Sequence, residues 1–294
     1  MMNAFVKTIF LGFGVLISGI SYGATCTVNA NGEVTDTTAC TTDTDLRIMT
    51  IYEIGLCSSE PTGPTTTSAF QPTSSCTKIF DNSVGSRVGI RSSGSTALNG
   101  SAPLDINTGN YSWMYLFMDP RAGINTNVTF SSARSTDSSS SGNTARETGT
   151  KCWTKSGDKY NWYPNAWSVT PTNIVCGNTI SGQDTAWTLQ NSLDASSGVY
   201  YQAVSTAGGT YKIHLTKTDK TRATTSSATS MGDVAKVLVL APVSTSITDD
   251  TRTIDLSFKV LDGTNVDQIT NSGTTYLYDL AGSGNIVIQV TTSD

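Results

Sequence analysis

Apolar and polar residues alternate one by one along much of this 294-residue chain. TIDLSFKV (253–260) shows it most cleanly: Ile254, Leu256, Phe258 and Val260 fall on one side, and Thr253, Asp255, Ser257 and Lys259 on the other. Successive side chains of a strand point to opposite faces, so the pattern predicts a half-buried antiparallel strand; a helix would scatter those four apolar residues around its circumference. TCTVNANGEV (25–34) reads the same way, with Cys26, Val28, Ala30 and Val34 on one face. DLRIMTIYEIGLC (45–57) groups Leu46, Ile48, Tyr52, Ile54 and Leu56, leaving Arg47, Met49, Ile51 and Glu53 opposite.

Two segments are apolar on both faces. YSWMYLFM (111–118) sets Tyr111, Trp113, Tyr115 and Phe117 against Met114, Leu116 and Met118, and VAKVLVLAPV (234–243) behaves similarly up to Pro242. Such runs suit central strands covered on both sides. The tail predicts a meander: 253–260, a hairpin turn at Asp262-Gly263, a strand at 275–280, a Gly-rich turn, and a last strand at 286–290. Shorter strands are expected at 87–90, 127–130, 198–204 and 210–216.

The expected fold is therefore all-β: an antiparallel β-sandwich with disulfide-stapled loops, either one large elaborated sandwich or two smaller ones. SSARSTDSSSSGNTARETGT (131–150) has little apolar content to offset the entropy of ordering and reads as a loop or linker. It would separate a β-rich region at 25–130 from a second at 151–294. The polar stretch 217–233 reads as a long surface loop.

Composition sharpens this picture. Thr and Ser make up about 29% of the chain, charged residues 14%, and Asp far outnumbers Glu. Thr favours strands, Asp, Ser and Gly favour turns, and the strong helix formers are scarce. The net charge of −5 and the lack of a basic stripe argue against a nucleic-acid partner. At the N-terminus, MMNAFVK, the apolar run IFLGFGVLISGI and the small residues SYGA read as an export signal over 1–24, cleaved near Gly23 or Ala24. That run is shorter than a membrane span requires, and no later segment matches it, so no transmembrane span is expected in the mature chain. Secretion to the extracellular space or cell surface would place all six cysteines in an oxidising compartment. The expected bridges are local, Cys26–Cys40, Cys57–Cys76 and Cys152–Cys176, since each pair brackets a polar, turn-rich loop. No CxxC spacing suggests zinc, and no metal or cofactor is assigned.

Catalytic motifs are sparse. There is no GxSxG elbow, HExxH helix, phosphate loop or dinucleotide fingerprint. The single histidine, His214, alternates with Tyr211, Ile213 and Leu215 and so reads as solvent-facing. Glu53 and Glu147 are candidates by type for a glycosidase carboxylate pair, although no local pattern singles them out. TDTDL (42–46) and Asp249-Asp250 group oxygen ligands without matching a calcium loop. The densest chemistry lies between Cys152 and Cys176, where Trp153, Tyr160, Trp162, Tyr163 and Trp167 are concentrated. Bridging that loop stabilises by about 3 kcal/mol in the chain-entropy model. The cluster reads first as a stapled local core, then as a subunit interface or a glycan or small-ligand site.

The leading expectation is a secreted, non-enzymatic structural or adhesive surface protein, a filament or surface-layer subunit assembling by β-strand addition. Strand 25–34 is the candidate donor, weighed against pairing within its own chain. A secreted glycan- or protein-binding module using loop 152–176 is the alternative, and a secreted glycoside hydrolase a third reading. The expected partners are accordingly another copy of the chain, or a cell-surface or glycan partner.

Overall fold

The computed structural model describes residues 24–42, 46–91, 106–136, 147–155, 157–158, 174–189, 200–206, 209–225, 232–251, 253–261, 264–282 and 285–293. Among these every regular element is a strand. The first part of the chain forms β1 (Cys40–Thr42), β2 (Leu46–Cys57), β3 (Cys76–Ile90), β4 (Gly109–Met118), β5 (Arg121–Asn125) and β6 (Asn127–Thr136). Next come β7 (Thr148–Thr154), β8 (Gly157–Asp158), β9 (Ile174–Gly177), β10 (Ala186–Leu189), β11 (Tyr201–Thr206) and β12 (Gly209–Thr216). The tail contributes β13 (Lys236–Ile247), β14 (Thr253–Leu261), β15 (Thr264–Asn271), β16 (Thr274–Gly282) and β17 (Asn285–Ser293).

The larger sheet runs β11-β12-β13-β4-β2-β5-β10-β8, with β3 on the other side of β2. The two-faced runs occupy its centre, as their sequences require: β4 lies between β13 and β2. Met114, Leu116 and Met118 enter one core with Val237, Val239 and Ala241, while Tyr115 and Phe117 enter another with Leu238 and Leu240. β2 corrects the simple period-two reading. Opposite β4, Ile51 pairs with Met118 and Glu53 with Phe117, so β2 holds one extra residue there. A bulge of this kind reverses which side chains face which way. Met49 and Ile51 before it therefore share a core with Ile54 and Leu56 after it, whereas Leu46, Ile48 and Tyr52 are only half-buried.

The second sheet runs β1-β15-β16-β6-β7-β9. Its core joins Val128, Phe130, Val266, Leu277 and Leu280 to the disulfides Cys26–Cys40 and Cys152–Cys176. Segment 25–34 is not the continuous strand that its alternation suggested. Asn29 Oδ1 accepts the backbone N–H groups of Asn31 and Glu33, and Val28 bridges back to Val34. Gly32, at φ 77°, permits that turn. The segment thus folds onto its own chain: Thr25 bridges Thr41, Val34 bridges Phe130, and Val28 is left 54% exposed.

The tail differs from a meander. β14 pairs with β17, and β15 pairs with β16, giving two nested ladders around a single turn. That turn is Ser272-Gly273, whose φ values of 51° and 80° provide the left-handed pair a tight hairpin needs. Asp262-Gly263 lie outside the described residues, and β14 turns to the last strand rather than to the next. Ile254, Leu256 and Val290 of the outer ladder pack on the methionine-bearing face of the larger sheet. Both sheets mix strands from before and after 131–150, and residues 131–136 and 148–150 of that stretch are themselves strand.

Candidate functional site

The second face of the larger sheet is covered by residues 58–75, which carry no regular structure and are tied at their base by Cys57–Cys76. The two cysteines are cross-strand partners on β2 and β3. Within this lid, Phe70 is buried, its ring centroid 5.1 Å from that of Tyr115 and 5.5 Å from that of Phe117. The Phe70 N–H donates to the Lys220 carbonyl at 3.0 Å, and the Arg222 N–H to the Thr65 carbonyl at 2.8 Å. Glu60 at the lid's rim forms an ion pair with Lys212 on β12.

Beneath the lid, the register sets one row of side chains across the sheet: Tyr201, His214, Leu238, Phe117 and Glu53. Directly paired residues share a face, so a buried histidine and a buried carboxylate sit on one surface, separated by two apolar residues. Glu53 is 6% exposed. It accepts from Tyr115 Oη at 2.9 Å and from Lys220 Nζ at 2.8 Å, with Lys78 Nζ 3.7 Å away. Lys78 also binds Asp81 at 2.8 Å. Burial, followed by the Glu53 charge and hydrogen bond, pushes the Tyr115 phenol far above its ordinary range. For Lys78 the opposing influence of burial is outweighed by Asp81 and Glu53, and its pKa is raised. Glu53 thereby ties β2 to β3, to β4 and to the segment that follows β12.

The other end of the row is unlike what the alternation implied. His214 is 4% exposed, because the lid covers the face that period two had assigned to solvent. Its ring lies 4.6 Å from that of Tyr201, and a Cβ placed on Gly63 would come within 2.6 Å of Nε2. Neither ring nitrogen has a hydrogen-bond partner among the described residues. Burial first, and then the positive charges of Arg222 and Lys212, lower its pKa to about 4. A signal for the lid was present in the sequence. Pro61, Pro64 and Phe70 lie inside a short cysteine-bounded loop, and all three are buried.

Of the aromatic cluster, Trp153 is 3% exposed, and its indole N–H donates to the Ser181 carbonyl at 3.0 Å. Tyr160, Trp162, Tyr163 and Trp167 lie outside the described residues. Glu53 and Glu147 stand on different sheets: Glu147 immediately precedes β7, where its N–H and carbonyl both bond Thr136. Residues 43–45 of TDTDL lie outside the described residues, and Asp249-Asp250 occupy an exposed turn closed by Thr248 and Thr251. Cys26, Asp36 and Cys40 come within metal-binding reach of one another, but the two sulfurs are consumed in a disulfide. No family model, curated protein or solved structure matches this chain.

Proposed function

We propose that the chain is a secreted, non-enzymatic surface protein of structural or adhesive type, assembled by edge-to-edge addition of β-strands. The carrying observation is the outer edge of β11. Among the described residues no strand pairs with it, and its six residues, YQAVST, include neither a charge nor a proline. Natural proteins blunt exposed edges with charges, prolines, bulges or very short strands. Two of the other edges have such protection: β3 carries Lys78, Asp81 and Arg87 and a wide irregularity between Asp81 and Ser86, while β1 is three residues long and flanked by Thr25. β9 is only four residues long, and β17, which pairs with β14 alone among the described residues, shares the lack of charge and proline and is the competing edge. With segment 25–34 engaged in its own chain, β11 takes over the pairing role first expected of that segment.

Two further observations support the reading. Three disulfides are typical of extracellular proteins. Glu53, the buried carboxylate under the lid, is bound by a tyrosine and a lysine, with a second lysine 3.7 Å away. Negative-stain electron microscopy with light-scattering mass, on oxidised protein beginning at Ala24, tests the proposal. Ordered filaments or sheets are expected. A compact monomer at every concentration would overturn it and bring the glycan-binding alternative forward.

A further inference from the structure

His214 is the chain's single histidine, and it is buried without a hydrogen-bond partner among the described residues. Buried polar groups are nearly always paired, so an unpaired imidazole under a strap of irregular chain calls for a reason. We propose that His214 is a proton-sensitive latch for the 58–75 lid: protonation of the imidazole lifts the lid and bares the face formed by Tyr115, Phe117, Leu238 and Leu240.

The charge has nowhere to go while the lid is shut. From β12 itself, His214 faces Lys212; from the segment after β12, Arg222; and both are cations. From β11 it meets the ring of Tyr201, from β13 its register partner Leu238, and from the lid the backbone of Gly63. The one carboxylate in this group, Glu60, is already held by Lys212. An imidazolium here would be desolvated, repelled by two cations and without an acceptor.

The lid is the part that yields. β12 is held by ladders to β11 and β13, whereas the lid is held by Phe70 against Tyr115 and Phe117, by two backbone hydrogen bonds to the segment beyond β12, by the Glu60–Lys212 pair and, at its base, by the Ser112 hydroxyl on the Ser58 carbonyl. Irregular chain without ladder hydrogen bonds opens more readily than a laddered strand, and the withdrawal of Phe70 from its aromatic neighbours sets the cost of opening. Cys57–Cys76 keeps its base in place, so it swings without detaching.

The sign follows from the direction of the shift. In the open state the imidazole regains its ordinary value of 6.5, while in the closed state it titrates at about 4. The open state therefore binds the proton more tightly. Closure is fully favoured above 6.5, weakens about tenfold per pH unit below it, and levels off below about 4, a total near 300-fold.

Two measurements test this on the oxidised full chain. A single histidine gives one set of imidazole proton resonances, whose apparent titration midpoint falls between the closed-state and open-state values, lower the more rarely the lid opens at neutral pH. Hydrogen exchange of the 58–75 amides, corrected for intrinsic rates, reads opening. The expected results are an apparent midpoint well below 6.5 and an opening equilibrium raised on the order of 100-fold between pH 7 and 4.5. His214→Phe keeps a ring against Tyr201 without a titrating nitrogen and should abolish that rise. Glu60→Gln should retain it, separating the histidine from the rim carboxylate. A midpoint near 6.5, or equal acid opening in His214→Phe and wild type, would overturn the latch. If His214→Phe does not fold, the wild-type midpoint and its coincidence with lid opening decide the question.

Discussion

Gly55 shows at the residue scale how tightly the lid face is built. A Cβ added there would lie 2.1 Å from Tyr115 Cε1, because the phenol crosses the β2 backbone to reach Glu53. Gly55→Ala must expel the ring and break its bond to Glu53; a loss of about 2 to 3 kcal/mol in urea unfolding is expected. Arg134 plays a comparable part in the other sheet. Its side chain is fully buried and donates to Gln268 Oε1, to the Ser132 carbonyl and hydroxyl, and to the Asp36 carbonyl, with its guanidinium 4.5 Å over the Phe130 ring. Arg134→Met strands several of those acceptors and should cost about 3 kcal/mol by the same measurement. Asp233 supplies a pH dependence of opposite origin to that of His214. Burial alone would raise its pKa, but the N–H groups of Thr225 and Thr224, the Thr224 hydroxyl and Lys217 together lower it to about 2. A depressed carboxylate contributes fully above its unfolded value and loses that contribution as pH falls. Asp233→Asn should therefore remove about 1 kcal/mol at pH 7, after allowance for partial exposure, and nothing near pH 2 in acid-unfolding curves.

At the scale of elements, the cysteine-closed lid has its own prediction. Replacing Cys57 and Cys76 with Ser frees a loop whose closure stabilises by about 3 kcal/mol in the chain-entropy model. A thermal midpoint lowered together with faster exchange in 58–75 is expected, while an unchanged midpoint would show that the cross-strand ladder already fixes this register. Legibility of the fold also divides here. The strands at 111–118 and 234–243 were readable because both faces are apolar over a short run rich in aromatic or β-branched residues, a pattern that suits a covered central strand. β2 was readable as a strand but not in its facing, since one bulged residue reverses the parity and leaves no local mark. His214 was misplaced for a related reason. Alternation says that two residues face opposite ways, but whether the second face is wet depends on a lid far away in sequence. Segment 25–34 alternates too, yet Asn29 and Gly32 offer the backbone a turn that outcompetes extension.

For the whole molecule, pairing is the property that alternation leaves open, and it decides what the chain can do. Which strand remains at an edge follows from long-range register: β1 borrows β15 from the tail, β13 shields β4, and β11 is left with one side open among the described residues. An assembly built on that edge makes a sharp demand on Ala203, exposed in the middle of β11 and level with Lys212 across the ladder. Ala203→Lys adds a second ammonium directly opposite Lys212, without touching the core. Its unfolding midpoint should stay within about 0.5 kcal/mol of wild type, because exposed substitutions of this kind rarely exceed that. Yet the like charges must crowd any neighbouring strand, and the lysine must be desolvated as an added strand closes over it. Light scattering should then show monomers at concentrations where wild type assembles, with partial recovery in high salt as the repulsion is screened. Assembly that persists unchanged would move the contact to another edge, and β17, which has neither charge nor proline and pairs only with β14 among the described residues, would be the next strand to probe.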